Sequence, residues 1–200
     1  YMLYRNQLVL TGKINDVGAY TRTNIPVSYR TGIELQGRHN FNKWITVNGN
    51  VSFSSNKIRN FTEYIDDYDN GGQQTNFYKK TDISFSPAIT GGATVNIFPF
   101  RQAEISIIGK YVGRQFLDNT SNRNRSLHDY YVQDIRLGYD VKLKNIQSMQ
   151  LFILAGNVFS EKYEANGYTF SYIYGGKNTT ENFYFPMSTI NVMAGLNIRL

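Results

Sequence analysis

The sequence predicts an all-β protein made of antiparallel strands, and three observations lead to this prediction. Apolar and polar residues alternate along eight segments, and no segment has the 3.6-residue period of a helix. The connections between these segments are alternately short and long. The chain of 200 residues contains 16 tyrosines and 13 phenylalanines, which favour strands and the interfacial girdles of membrane barrels.

The eight predicted strands follow one another along the whole chain. They cover residues 1–10, 29–38, 45–54, 89–98, 103–116, 131–142, 149–159 and 190–200. Because successive side chains of a strand point to opposite faces, each strand has an apolar and a polar face. The strand at 45–54 shows the clearest alternation. The strand at 149–159 begins apolar on both faces, so its phase stays open.

The last predicted strand is as long as a tilted membrane-spanning strand, which needs about 9–11 residues. Its even positions are apolar, and we expect Val192, Leu196 and Ile198 to point outward. Its odd positions are mostly polar, and we expect Asn197 and Arg199 to point inward.

The lengths of the connections separate two kinds of β protein. Short connections are expected at 39–44, 99–102 and 143–148, and long ones at 11–28, 55–85, 118–129 and 160–188. In an antiparallel meander successive connections lie at opposite ends, so all the long ones fall at one end. This segregation is typical of transmembrane up-and-down β-barrels. A soluble β-sandwich or lipocalin-like ligand-binding module is the alternative, with Ile33, Leu35, Val47 and Val51 in a closed core.

Composition excludes several other classes. No apolar run approaches the roughly 18 residues of a membrane helix, and there is no cysteine for a disulfide scaffold. The net charge of +6 is scattered rather than clustered, which argues against nucleic-acid binding. His39 and His128 fall in connections at opposite ends and cannot share a metal. No catalytic, phosphate-binding or zinc motif is present, so we expect neither an enzyme nor a cofactor.

One segment carries a family resemblance. Residues 157–163, Asn-Val-Phe-Ser-Glu-Lys-Tyr, resemble the Asn-Leu-Phe-Asp-x-x-Tyr element near the C-terminus of TonB-dependent outer-membrane transporters. Residues 7–18, 112–120, 166–176 and 183–186 look like members from the Bacteroidetes group, of the siderophore and cobalamin type. In one respect the chain departs from the family, whose last strand usually ends in Phe where this one has Leu200.

The resemblance implies a barrel of about 22 strands closed by an N-terminal plug. Residues 1–200 would be about the last third of that barrel, without the plug and without the segment that engages TonB. The implied location is the outer membrane of a Gram-negative cell. The implied function is TonB-energised uptake of an iron–siderophore or similar scarce nutrient, with outer-membrane lipid, TonB and that small molecule as partners. A passive porin-like channel is a further alternative, which a plug upstream of Tyr1 would exclude.

Two sets of candidate site residues follow. Aromatic side chains in the long connection at 160–188 suit flat, partly apolar ligands, and the candidates are Tyr168, Phe170, Tyr172 and Tyr174. The alternative is that these rings belong to the outer interfacial girdle or pack the loop on itself, and those at 183–185 are expected in the girdle. Charged residues on the polar strand faces are expected to contact the plug, and these are Arg30, Glu34, Arg114 and Arg136. The acidic stretch 66–72 is interpreted as a solvated loop tip rather than a calcium loop, because it lacks a distal glutamate.

Overall fold

The computed structural model of the chain describes residues 1–143 and 147–199, with side chains as far as residue 198. The expectations for the side chain of Arg199 and for Leu200 therefore lie outside the described residues. Every regular element in this part of the chain is a strand, and it contains no helix able to cross a membrane. The strands are β1 (Met2–Ile14), β2 (Tyr20–Asn40), β3 (Ile45–Asp67), β4 (Gln73–Asp82), β5 (Ile89–Phe100), β6 (Ala103–Val112), β7 (Gln115–Phe116), β8 (Ser126–Leu127), β9 (Tyr130–Val141), β10 (Ser148–Gly156), β11 (Glu164–Tyr174), β12 (Lys177–Pro186) and β13 (Asn191–Arg199).

The main sheet is an antiparallel meander that confirms the predicted fold class. Its strands lie in the order β1-β2-β3-β5-β6-β9-β10-β13, which is also their order along the chain. Each of these eight strands contains most of one predicted strand. Two short connections, residues 41–44 and 101–102, lie at one end of the sheet and the long ones at the other, which we call the long-loop end. The third predicted short connection, 143–148, falls partly outside the described residues.

Three of the four predicted connections at the long-loop end are too long, because much of their sequence forms strands. Only residues 15–19 connect β1 to β2, and Asn15 closes this turn by accepting hydrogen bonds from the backbone of Val17 and Ala19. The connection at 55–85 contains the second half of β3 and all of β4, and that at 160–188 contains the β11–β12 hairpin. The strand predicted at 103–116 is shorter, since β6 ends at Val112 and β7 pairs separately with β8.

The apolar face of the sheet is exposed rather than folded into a core. Large apolar side chains on this face are 44% to 71% exposed, and they include Ile33, Leu35, Phe53, Leu137, Tyr139, Leu151, Ile153, Val192, Leu196 and Ile198. A soluble sandwich would bury Ile33, Leu35, Val47 and Val51, yet the first two are more than half exposed and the others half-buried. The prediction of a closed core in the described residues is therefore wrong.

The phase that the sequence left open in β10 is settled by its neighbours. Leu151 lies opposite Tyr139 and Leu196, which places it on the apolar face. Phe152 lies on the polar face, where its ring extends across Gly195 and occupies the space that a Cβ atom there would need. Asn197 lies opposite Gln150 on the polar face, as expected. A concavity of about 1020 Å³ adjoins the polar face, which we call the inner face.

Two asparagines reverse the alternation near the long-loop end. Asn6 and Asn60 have positive φ angles of 53° and 56°, and Pro26 lies between them in the register of β1, β2 and β3. Below this level the even residue Ile58 is buried, whereas above it the odd residue Ile65 is buried. A left-handed residue in a strand turns the following side chains to the opposite face, so the inner face changes from even to odd positions.

Candidate functional site

The inner face at the long-loop end is covered by two loop segments, residues 83–87 and 117–121. The backbone N–H of Ser84 donates to Asn119 Oδ1 at 2.9 Å, and Asn119 Nδ2 donates to the carbonyl of Leu10 at 2.7 Å. Beneath them lies a small apolar core of Val9, Ile25, Ile58 and Ile83, with Phe61 against it. The buried apolar side chains of the described residues are all at this end.

The β11–β12 hairpin crosses the same side of the sheet. It leaves the sheet after β10, yet β11 pairs in parallel with β3 at Tyr172↔Asp66 and Ile173↔Asp67. Because β5, β6 and β9 separate β3 from β10 in the sheet, the hairpin must pass above all three. Near its base, Tyr20 Oη lies 2.8 Å from Asn166 Oδ1 and 2.9 Å from the carbonyl oxygen of Gly167.

A carboxylate holds the tip of the hairpin. Asp69 accepts hydrogen bonds from the backbone N–H groups of Gly175 at 2.8 Å and Gly176 at 2.7 Å. Both glycines have positive φ angles, 60° and 71°, as a two-residue hairpin turn requires. Tyr68 adds an aromatic contact with Tyr172, their ring centroids 6.0 Å apart. The acidic stretch predicted as a solvated tip therefore anchors another loop through Asp69.

A buried group of charges, the ionic cluster of Glu63, Asp118 and Arg125, joins these segments. Arg125 Nη1 donates to Glu63 and to Asp118 Oδ2, the latter at 2.9 Å, and Nη2 lies 3.3 Å from Thr180 Oγ1. The three charged side chains are 10% exposed or less. One guanidinium thus connects β3, the β6–β9 loop and β12.

The surroundings of Glu63 shift the pKa values of two side chains, Glu63 and Tyr78. Both side chains lie towards the long-loop end of the sheet. Burial alone would raise the pKa of Glu63, but the hydrogen bonds and charge of Arg125, with hydrogen bonds from Tyr78 and Asn76, lower it. Tyr78 donates to Glu63 at 2.9 Å. Burial and this carboxylate raise the pKa of Tyr78 to about 12. The cluster therefore keeps Glu63 ionised and Tyr78 protonated at neutral pH.

The ionic cluster adjoins a cavity of about 200 Å³ between the β1–β2 hairpin, β3 and β11. Its walls are rich in hydroxyl groups, from Thr11, Thr21, Thr23, Thr62, Thr120, Thr169 and Ser171. Sequence reasoning missed both features. Glu63 is far along the chain from Asp118 and Arg125, and the three residues belong to no spacing motif, so only the folding of the loops brings them together.

The predicted ligand-binding aromatics all lie on one side of β11. They alternate with Thr169 and Ser171, which are buried towards the ionic cluster, so they face away from it. Tyr168 stacks on Phe183 with centroids 4.8 Å apart and planes at 12°. Phe170 and Phe185 lie within 6 Å of Tyr168. We call Tyr168, Phe170, Phe183 and Phe185 the aromatic face.

The remaining two predicted aromatics lie closer to the tip of the hairpin. Tyr172 donates to Glu181 at 3.0 Å, whereas Tyr174 is 69% exposed. The rings at 183 and 185 were expected in the interfacial girdle, but the hairpin register places them beside Tyr168 instead. The β11–β12 hairpin therefore carries a defined aromatic surface, in which the rings pack against one another.

Three of the four predicted wall residues lie on the inner face. Arg30 donates to Asn56 at 3.2 Å and Ser86 at 3.3 Å, whereas the exposed Glu34 lies opposite Ser52. Arg136 donates to Gln150 at 2.8 Å and lies 3.6 Å from Glu104. Arg114 was expected on a strand, but it follows the end of β6 and lies in the loop.

Comparisons with known proteins find likeness at the level of structure. No family model and no curated protein sequence matches the chain. The siderophore receptor PiuA from Acinetobacter baumannii matches 96% of this chain with 24% of its own, at 13% identity and a TM-score of 0.66. The ferric-catecholate import receptor Fiu from E. coli K12 matches 98% with 24% of its own, at 16% identity and a TM-score of 0.61.

The ferripyoverdine receptor of the outer membrane of Pseudomonas aeruginosa gives the same result. It matches 97% of this chain with 23% of its own, at 12% identity and a TM-score of 0.54. The chain thus spans about a quarter of the length of each of these receptors. At such identities the likeness establishes the fold, an antiparallel sheet like that in receptor β-barrels, and not the ligand.

Proposed function

We propose that this chain is the C-terminal part of the β-barrel of a TonB-dependent receptor in a Gram-negative outer membrane, of the Bacteroidetes type. The receptor imports an iron–siderophore complex or a similar scarce nutrient. The exposed apolar face of an otherwise well-paired sheet supports the membrane location, because such a surface would be unfavourable in water. The likeness to three siderophore receptors supports the choice of barrel.

The dimensions of the sheet agree with a bilayer. An antiparallel strand rises about 3.4 Å per residue, which a tilt of about 40° reduces to about 2.6 Å along the barrel axis. An apolar band about 25 Å tall therefore takes about ten residues of a strand. In β3 these are residues 45–55, which begin beside Trp44, an exposed ring suited to the girdle at the short-turn end.

The observation that carries the ligand class is the aromatic face, which the hairpin presents on the inner side of the sheet. Flat catecholate or similar ring-bearing ligands stack favourably on such rings. In this proposal Tyr168 and Phe170 contact the ligand, with Tyr172 and Tyr174 at the edge of the site. Arg30, Glu34 and Arg136 line the wall that meets the plug, and in this proposal the exposed Arg114 contributes from its loop.

Binding by the full-length receptor tests the proposal. Ferric enterobactin and ferrichrome, one catecholate and one hydroxamate complex, are titrated against the detergent-purified protein by intrinsic fluorescence. Replacing both Tyr168 and Phe170 by Ala removes two stacking rings worth about 0.5–1.5 kcal/mol each. The Kd for the catecholate complex, ferric enterobactin, should therefore rise about fivefold to a hundredfold. Phe77→Ala is the matched control, because Phe77 is an exposed ring on β4.

Three results would contradict the proposal. Recovery of the parent protein from the soluble periplasm would exclude the membrane barrel. Failure to bind any ferric siderophore, in a correctly folded outer-membrane protein, would exclude the ligand class. A full-length sequence without a plug domain would instead favour a passive channel.

A further inference from the structure

Three cations form a row across neighbouring strands near the long-loop end. Arg5 lies opposite Val27, Val27 opposite Arg59, and Arg59 opposite Lys80. All three cationic side chains are exposed, and we call Arg5, Arg59 and Lys80 the basic row. Like charges directly opposite each other destabilise a sheet, and Arg59 and Lys80 are such a pair.

The basic row continues the apolar face of the sheet. Val27 and Tyr29 precede Ile33 and Leu35 at alternate positions of β2, and no residue with positive φ interrupts them. Tyr29 lies one step below the row. Its ring centroid is 5.6 Å from the guanidinium carbon of Arg59 and 5.8 Å from Lys80 Nζ, so the two cations are held over one aromatic ring.

The described part of the chain supplies no counter-charge for this row. None of its three members forms an ion pair with a carboxylate of residues 1–143 or 147–198. The acidic residue beside it, Asp82, is already paired with Lys57 at 2.5 Å and accepts a hydrogen bond from Ser121. A neutralising anion therefore has to come from outside these residues.

The height of the basic row indicates which anions are near. If the apolar band takes residues 45–55 of β3, the backbone of Arg59 lies about 10 Å above it, and its side chain can extend back towards it. The polar headgroups occupy a layer of about 5–8 Å on each side of the hydrocarbon core. Arginine binds phosphate with two parallel hydrogen bonds, and long cationic side chains reach into this layer.

We propose that the basic row binds phosphate groups on anionic lipids of the outer leaflet, so that this side of the barrel has a fixed lipid contact. The inference rests on the proposed membrane location, but not on the identity of the transported ligand. The row faces away from the inner side, so its role is separate from that of the aromatic face.

Lipid retention by the full-length receptor tests this proposal. The detergent-purified protein is incubated with bisphosphorylated lipid A, and bound lipid is counted by native mass spectrometry. The triple variant Arg5→Gln, Arg59→Gln, Lys80→Gln should bind roughly tenfold more weakly or worse, because each cation near an anionic headgroup adds to the attraction. The control triple Arg123→Gln, Lys162→Gln, Lys177→Gln removes the same charge from exposed positions elsewhere and should bind like the parent.

Further measurements distinguish lipid phosphate from free phosphate and from a general effect of charge. The parent protein should not retain dephosphorylated lipid A. The double variant Arg5→Lys, Arg59→Lys keeps all three positive charges and should bind lipid A almost as well as the parent. Equal retention by the parent and the first triple variant would overturn the proposal, as would equal losses in both triples. Binding of inorganic phosphate as tight as that of lipid A would overturn the lipid assignment. Heat-modifiable migration of every variant tests the barrel itself, so failure of the membrane proposal would be seen separately.

Discussion

Removing Arg125 should release the loops at the long-loop end without unfolding the sheet. In Arg125→Gln the carboxylates of Glu63 and Asp118, each about one-tenth exposed, lose their cation. Breaking a buried ion pair by removing one partner costs about 3–5 kcal/mol. At about 1.4 kcal/mol per factor of ten, local opening should become roughly a hundredfold to several thousandfold more frequent.

Hydrogen exchange of the full-length protein, followed by mass spectrometry, measures this opening. Faster exchange is expected in residues 113–127 and 164–186. In the first of these ranges, the Leu117 N–H donates to the Arg125 carbonyl. Amides of β5, β6 and β10 should keep their protection. Arg123→Gln, an exposed change two residues away, should exchange like the parent. Unchanged exchange in Arg125→Gln would refute the idea that this guanidinium holds the loops together.

Acid and base should act on the same cluster. The folded pKa of Glu63 is lowered, so its contribution to stability is present above its unfolded pKa of about 4.3 and is lost as pH falls through the folded value. The folded pKa of Tyr78 is raised to about 12, so its contribution is present below about pH 10 and is lost between about pH 10 and 12. Loop exchange, corrected for intrinsic rates, should therefore accelerate at both extremes, and Tyr78→Phe should lose the alkaline part.

Two further predictions concern the lipid-facing strand and the hairpin tip. Leu196→Arg should sharply lower the amount of heat-modifiable barrel in outer-membrane fractions, because a lipid-facing arginine near the midplane costs about 2–4 kcal/mol. Asn197→Arg on the inner face should be tolerated. Equal loss of barrel in the two variants would contradict the assigned phase of β13. Asp69→Ala removes the acceptor for the backbone N–H groups of Gly175 and Gly176, so proteolysis between residues 174 and 177 should become severalfold faster. Asp16→Ala, in another exposed turn, is the control. Equal cleavage rates in the two variants would contradict the anchoring role of Asp69.

The strands that the sequence predicts best are those with two different environments on their faces. Alternation at 45–54 and 190–200 locates the first residues of β3 and β13 within one residue, because one face needs apolar side chains and the other does not. Alternation is weak where both faces are polar, as in the first residues of β2, Tyr20 to Asn24. There the strands persist because their backbones pair, and pairing leaves little trace in the sequence.

The candidate site was predictable only in part, for a related reason. Composition points to the aromatics at 168–174, since rings are concentrated there, but their stacking with Phe183 depends on the register of a hairpin that the sequence does not reveal. The ionic cluster was not predictable, because Glu63 lies in β3 while Asp118 and Arg125 lie in the β6–β9 loop. Their encounter depends on how that loop folds over the sheet.

The change of phase at Asn6 and Asn60 links these two levels of prediction. Below it, even positions of β3 face inward and odd positions face outward, so Arg59 belongs to the exposed basic row. Above it, the odd position of Glu63 faces inward, where it meets Arg125. With unbroken alternation from Ile45, Glu63 would face outward, on the same face as Arg59, and the guanidinium of Arg125 would lose an acceptor. The left-handed asparagine thus allows one strand to serve an outward surface at one level and a buried, charged one four residues later.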